Sequence, residues 1–329
     1  MAKKSKRGSG PRPGSNRAER VAARKERQAA AATGQTRPFD GLAAECDLVA
    51  LRTFVASATA RLPLIEPGPP EPELTSVVPD DELGPNLQKD GVRNHVNAAT
   101  VLPGVIGAMV RDGKGAREGF AALQLNPDPT DLAAEFAAEI EFAAHAKVDD
   151  KYTPGAAPSK PLTKLLDADA PLDITVYDDF AWWYAPGAKL DAGVKQMLEQ
   201  AAATIQPTAR LKPKSGLGAP WWVDAGDKAH LRWIRPEDED TVMTALARLH
   251  AAGHLTLGEG SRFAGSFRTH GLLVPVFDLD VKKHAEDWYD GLDQFDAWLV
   301  EAMADKSELT TEERRSRAGI RTRQVTLRA

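Results

Sequence analysis

The densest run of residues able to do chemistry lies between Leu255 and Gly271, where four glycines alternate with Glu259, Arg262, Arg268 and His270. Glycine lets backbone amides approach an anion closely. Arg262, Arg268 and His270 could hold a phosphate or carboxylate, with Glu259 orienting one of them. The spacing is neither that of a P-loop, which needs Gly-Lys-Ser or Gly-Lys-Thr, nor that of a dinucleotide fingerprint. The same residues also read as a glycine-bent loop whose arginines pair with acidic neighbours. His250 and His254 are four apart, as helical metal ligands can be, but Gly253 breaks the helix between them and further ligands have no evident source. No metal or cofactor is therefore expected. Asp178-Asp179 and the pair Asp224 and Asp227 stand at strand ends or turns, where aspartate is ordinary. Cys46 lies between Glu45 and Asp47, which would raise a thiol pKa, so it reads as a half-buried helical residue rather than a nucleophile. No catalytic residue is assigned.

All seven tryptophans follow residue 180. Adjacent residues on a strand point to opposite faces, so one member of each pair, Trp182/Trp183 and Trp221/Trp222, should be exposed or cover another element. An exposed ring could stack a base, and Lys212 and Lys214 stand near the second pair. Packing within the core is the simpler assignment.

The elements that would position these groups begin with a helix over Cys46–Ala60. Pro67-Gly68-Pro69-Pro70-Glu71-Pro72 follows as a surface loop. Strands Thr100–Arg111 and Gly119–Leu125 are joined by a turn at Asp112-Gly113-Lys114-Gly115. A helix from Asp128 to about Lys147, a short helix near Leu162–Leu166, a strand Ile174–Tyr177 and a helix Leu190–Ile205 complete the first half. The second half repeats the order: strands at Trp221–Val223 and His230–Ile234, a proline-started acidic helix from Pro236 to Gly253, a strand Leu272–Leu279 and a helix Ala285–Ala304. Thr310 and Glu313 form a capping box for a last short helix that Gly319 can end. The fold class expected is α+β, two similar lobes of hairpin, helix, strand and helix, preceded by a disordered or partly helical basic tail. The divisions are 1–37 as tail, 38–165 as first lobe with its proline-rich loop at 66–72, 166–311 as second lobe, and 312–329 as a basic C-terminal tail. Residues 172–205 could belong with the first lobe.

Length and charge set the function classes. The chain has 329 residues, net charge −5 and 42% hydrophobic residues, which excludes a wholly disordered or collagenous protein. The sum hides a division. Residues 1–37 hold eleven basic and two acidic side chains, net +9, and 312–329 hold six and two, net +4, leaving −18 on the body between them. Lys3, Lys4, Lys6, Arg7, Arg12, Arg17, Arg20, Arg24, Lys25 and Arg27 could each neutralise a phosphate, making the tail an arm for RNA, the ribosome or another polyanion, or alternatively a solubilising tail. The end from Arg321 to Arg328 is either an edge strand against the acidic body or a second basic arm; the alternation of Val325 and Leu327 favours docking. One cysteine excludes an intramolecular disulfide and suits a reducing cytoplasm. The longest mostly apolar run, Ala98–Val110, is well short of the roughly 20 residues a bilayer needs, so no membrane partner is expected.

Several blocks together resemble one family. They are Arg37-Pro38-Phe39-Asp40-Gly41-Leu42 with Glu45-Cys46-Asp47, His230-Leu231-Arg232-Trp233, Leu246–Gly253, Gly258-Glu259-Gly260 through Val276, and Arg321–Arg328. They are similar to the actinobacterial family called domain of unknown function 5926, across essentially everything after residue 37. The family brings no established activity. Many members carry an N-terminal SEC-C zinc motif of three cysteines and a histidine, and for that reason are labelled preprotein translocase, SecA-like; the tail here has neither Cys nor His, so that label and a zinc-mediated contact do not carry over. The reading favoured is a cytoplasmic, non-enzymatic binding or adaptor protein with a basic N-terminal arm. The alternative is an enzyme or small-anion binder using an inter-lobe cleft around Arg262, Arg268 and His270.

Overall fold

A computed structural model describes residues 37–66, 94–113, 117–126, 129–148, 150–185 and 187–326. The chain divides into Met1–Arg37 and Pro38–Ala329. The basic positions from Lys3 to Arg27, the proline-rich run 67–72, part of the turn after Gly113 and residues 327–329 lie outside the described residues.

Within Pro38–Ala329 the chain folds as α+β with two sheets. Helix α1 (Glu45–Thr53) leads into β1 (Ala58–Pro63), followed by β2 (His95–Ala99), β3 (Ala108–Asp112) and β4 (Arg117–Ala122). Helices α2 (Leu132–His145) and α3 (Leu162–Leu165) precede β5 (Asp173–Val176). These strands form a sheet in the order β3-β4-β2-β1-β5, in which β2 and β4 run parallel and the other neighbours antiparallel. The alternation Ala58, Ala60 and Leu62 turns one face inward, where Phe136 and Ile140 of α2 meet it. Asp131 caps α2, its carboxylate accepting from the Ala134 amide at 3.0 Å.

The expected helix over Cys46–Ala60 stops at Thr53, and Ala58–Ala60 belong to β1. The Gln124 amide donates to the carbonyls of Leu51 and Val55 at 2.6 and 2.8 Å, satisfying groups that a continuing helix would have used. The expected strand Thr100–Arg111 is interrupted by a turn at Pro103–Val105, because proline and glycine there cannot hold a ladder.

The second sheet comprises β6 (Thr208–Arg210), β7 (Ala219–Asp224), β8 (Ala229–Ile234), β9 (Ser261–Thr269), β10 (Leu272–Leu279) and β11 (Gln324–Thr326), in the order β11-β9-β10-β8-β7-β6. Helix α4 (Ala192–Ala202) precedes it, α5 (Glu239–Ala251) follows β8, and α6 (Tyr289–Ala304) and α7 (Thr311–Thr322) follow β10. One face packs Leu231, Trp233 and Phe277 against Val242 and Leu246 of α5 and Phe295 and Leu299 of α6. The opposite face gives Trp221, Ile234, Phe267 and Val274 to the core that holds α1, α2 and the first sheet. One core thus draws on both sheets, on either side of residue 165. At about 25 cal/mol per Å² and roughly 200 Å² for a tryptophan, burial of Trp221 and Trp233 contributes about 5 kcal/mol each before entropy costs.

The second half has two strands, β9 and β10, between α5 and α6 where the first has β5 alone between α3 and α4, and the pairing differs as well. β10 lies beside β8, whereas β5 is separated from β4 by β2 and β1.

Candidate functional site

The run Leu255–Gly271 is mostly strand. β9 and β10 form a hairpin whose two-residue turn is His270-Gly271, with φ of 46° and 76°. Positive φ at both positions is what a type I′ turn requires. His270 therefore acts first as a turn residue, and burial, with Arg52 nearby, pushes its pKa down to about 4. β10 shows a register shift between Val276 and Phe277, where Ala264 is the extra residue on β9. Arg262 and Arg268 are six apart and would share a face of a regular strand; the bulge sends them to opposite faces. Arg268 pairs with Glu239 on the α5 side. Arg262 pairs with Asp278 at 2.9 Å on the other. The Glu259 carbonyl accepts from Lys283 Nζ at 2.8 Å, and its side chain is exposed. The four residues do not converge; Arg262 shares Asp278 with Lys228 and His230, apart from Arg268 and its partner Glu239.

Arg314, Arg317 and Arg321 near the C-terminus have local partners. Arg317 and Arg321 of α7 both pair with Asp240 Oδ1 at 3.0 Å, Arg321 donating a hydrogen bond to it, while Gln324 donates to Glu239 at 2.9 Å. Those carboxylates occupy the first turn of α5, where the helix dipole already favours negative charge. β11 then adds in parallel to the edge of β9. The capping box of Thr310 and Glu313 starts α7, but Gly319 lies inside that helix, which runs on to Thr322.

His250 and His254 have separate roles. His250 Nδ1 meets Ser316 Oγ at 2.9 Å, whereas the His254 ring stacks on Trp298 at 4.2 Å. Among the described residues no group of three or more His, Cys, Asp or Glu is placed to hold a metal ion. Asp179 accepts from the Ala181 amide and Asp224 from the Gly226 amide, both as turn caps. Cys46 is buried, and burial, reinforced by Glu45 and Asp47, pushes its thiol up to about 12.

Trp221 and Trp222 are both buried, because the sheet is covered on both faces. Trp182 and Trp183 sit in a single 3-10 turn rather than a strand. There Trp182 stacks on Tyr177 at 5.5 Å and donates to Ser57 Oγ at 2.8 Å, and Trp183 donates to the Val101 carbonyl at 2.9 Å. Arg111 lies over Phe120 and donates to the carbonyls of Trp182 and Tyr184.

One titratable group escaped the sequence reading. Glu139 of α2 is 1% exposed, and its Oε1 has no hydrogen-bond partner. Burial, with Glu135 adding to it, pushes its carboxyl up to about 9, against the pull of Arg52. Arg52 is itself buried and donates to the carbonyls of Leu123 and Asn126. The signal was present: Glu139 stands three residues after Phe136 and four before Ala143, on the helix face that packs inward.

No helix among the described residues is long and apolar enough to cross a membrane. No curated protein and no solved structure matches the chain. The model of one family, described as a family of unknown function (DUF5926), matches residues 38–82 and 74–328. It covers essentially all of Pro38–Ala329, so the chain belongs to the DUF5926 family of unknown function.

Proposed function

We propose that this is a non-enzymatic binding or adaptor protein whose N-terminal arm, carrying Lys3 to Arg27, engages RNA, the ribosome or another polyanion. The observation that supports this is how the body uses its charge. Arg317, Arg321 and Arg268 are matched to Asp240 and Glu239, while the body from 38 to 311 carries a net −18. A folded part so acidic repels a phosphate backbone, so affinity for one has to come from residues 1–37. The reading carries with it a cytoplasmic location, supported by the single buried Cys46.

The experiment is retention of single-stranded RNA by the full chain and by a chain lacking residues 1–37, over a series of salt concentrations. Binding by the full chain should fall as salt rises, with a log–log slope of about −0.7 for each phosphate neutralised. The shortened chain should not bind, and equal affinity of the two would refute the role of the arm.

A further inference from the structure

We infer that Arg232, with Arg262, Lys228 and His230 around it, forms a binding site for a phosphate dianion, free or as a monoester. Arg52, Arg111, Arg210, Arg235 and Arg248 are all turned into the body, and each is hydrogen-bonded to a carboxylate or to carbonyl oxygens. Arg232 is likewise half-buried, yet among the described residues its guanidinium meets only the face of Phe54, 5.2 Å from the ring centre. The pairing of β8 explains why. The residues opposite Arg232 are Val276 on β10 and Trp221 on β7, so no acidic side chain is its neighbour on either side. A partly desolvated cation without an anion is costly, and its pKa is lowered by burial alone.

The neighbours sharpen the class of ligand. His230 precedes Arg232 by two residues on β8 and so shares its face. Asp278 stands opposite His230, and Arg262 opposite Asp278, all on that same face. Asp278 Oδ2 takes Arg262 at 2.9 Å and Lys228 at 3.4 Å. Its Oδ1 lies 3.2 Å from His230 Nδ1, although the ring is not aligned to donate a hydrogen bond. Arg262 and Lys228 thus pair with one carboxylate while Arg232, on the same face, meets none, so these three permanent cations exceed Asp278 by two positive charges on a body that is otherwise acidic. An anion of charge −2 balances that excess. Arginine's planar fork takes two oxygens of a phosphate at once. Burial lowers the His230 pKa, with Asp278 opposing, which favours the neutral ring; a neutral imidazole adds a hydrogen-bonding group without further charge.

The test is a calorimetric titration of the full chain with inorganic phosphate and, separately, with glycerol 3-phosphate. It compares the unaltered protein with Arg232→Gln, Arg262→Gln and Arg268→Gln. The N-terminal arm is the same in all four, so any phosphate it attracts cancels. Saturable binding is expected, weakened about tenfold or more by Arg232→Gln and about threefold by Arg262→Gln, and unchanged by Arg268→Gln, which lies on the opposite sheet face. Tighter binding of glycerol 3-phosphate would assign the anion to a monoester, and equal binding to free phosphate. Arg262 is 76% exposed at its side chain, so Arg262→Gln keeps the test open if Arg232→Gln does not fold. The inference is overturned if Arg232→Gln and Arg262→Gln bind as the unaltered chain does. It is also overturned if no saturation occurs at about 10 mM phosphate, where a Kd of about 1 mM would give nine-tenths occupancy.

Discussion

Gly119 on β4 packs so closely beneath Ala143 on α2 that a Cβ there would stand 2.1 Å from the Ala143 carbonyl oxygen. The neighbouring atom is helix backbone, which cannot step aside. Gly119→Ala should therefore separate α2 from the first sheet and cost about 2–4 kcal/mol, read as a lowered midpoint of chemical denaturation. A change below about 0.5 kcal/mol would show that the helix is free to shift.

Glu139 sets a dependence on alkaline pH. Its folded pKa, about 9, lies above the usual 4.5. Between those values the folded state holds a proton that the unfolded state has released, so stability falls as pH rises from about 5 to 9. Glu139→Gln should flatten that fall and raise stability at pH 8 by about 1–3 kcal/mol. Denaturation curves of the two proteins at pH 5, 7 and 9 decide it; parallel dependence would place the titrating group elsewhere.

His270 works in the opposite window. Its folded pKa, about 4, lies below the usual 6.5. The unfolded chain binds the proton first on acidification, so stability present above pH 6.5 is lost between about 6.5 and 4. His270→Asn keeps a residue suited to the turn and removes the titration. It should resist acid better by about 1–3 kcal/mol at pH 4. An NMR titration of the imidazole with an ordinary midpoint would contradict this.

Asp240 receives both Arg317 and Arg321 but is 71% exposed at its side chain. Exposed pairs contribute little, so Asp240→Asn should cost no more than about 1 kcal/mol. Because two arginines share one acceptor, a double-mutant cycle with Arg317→Gln should show coupling below about 0.5 kcal/mol, the remaining arginine retaining the contact.

Cys46 should resist thiol reagents at pH 8 in the folded chain and react at an ordinary rate once unfolded, since a thiol held up near 12 supplies almost no thiolate. Labelling by a chromogenic disulfide with and without denaturant measures this.

The helices with an unbroken apolar stripe were legible in the sequence. Val242, Leu246 and Leu249 marked α5, and Leu292, Phe295 and Leu299 marked α6, because a 3.6-residue period has few alternative explanations. β9 was not, since its glycine and two arginines, with Gly260 and Gly271 at either end, imitate a loop; what makes it a strand is pairing with β10, a contact of tertiary origin. Nor could the sequence say which face Arg262 and Arg268 occupy. The extra residue at Ala264 decides that, and a bulge is recognised only from the partner strand. Arg232 stood in view within a block quoted for its family resemblance. Its lack of an acidic partner among the described residues follows from Val276 and Trp221 lying opposite, which depends on the register of three strands.

The parallel pairing of β11 with β9 has a consequence for biosynthesis. Ser266, Phe267 and Arg268 are matched by Gln324, Val325 and Thr326, residues made well over fifty positions later. During translation the outer edge of β9 therefore displays unpaired amides and carbonyls while β10, α6 and α7 are being completed. An open strand edge recruits other chains. Pairing of residues 324–326 closes it from within, so a released chain that ends within α7 should be markedly more prone to aggregate than the full chain.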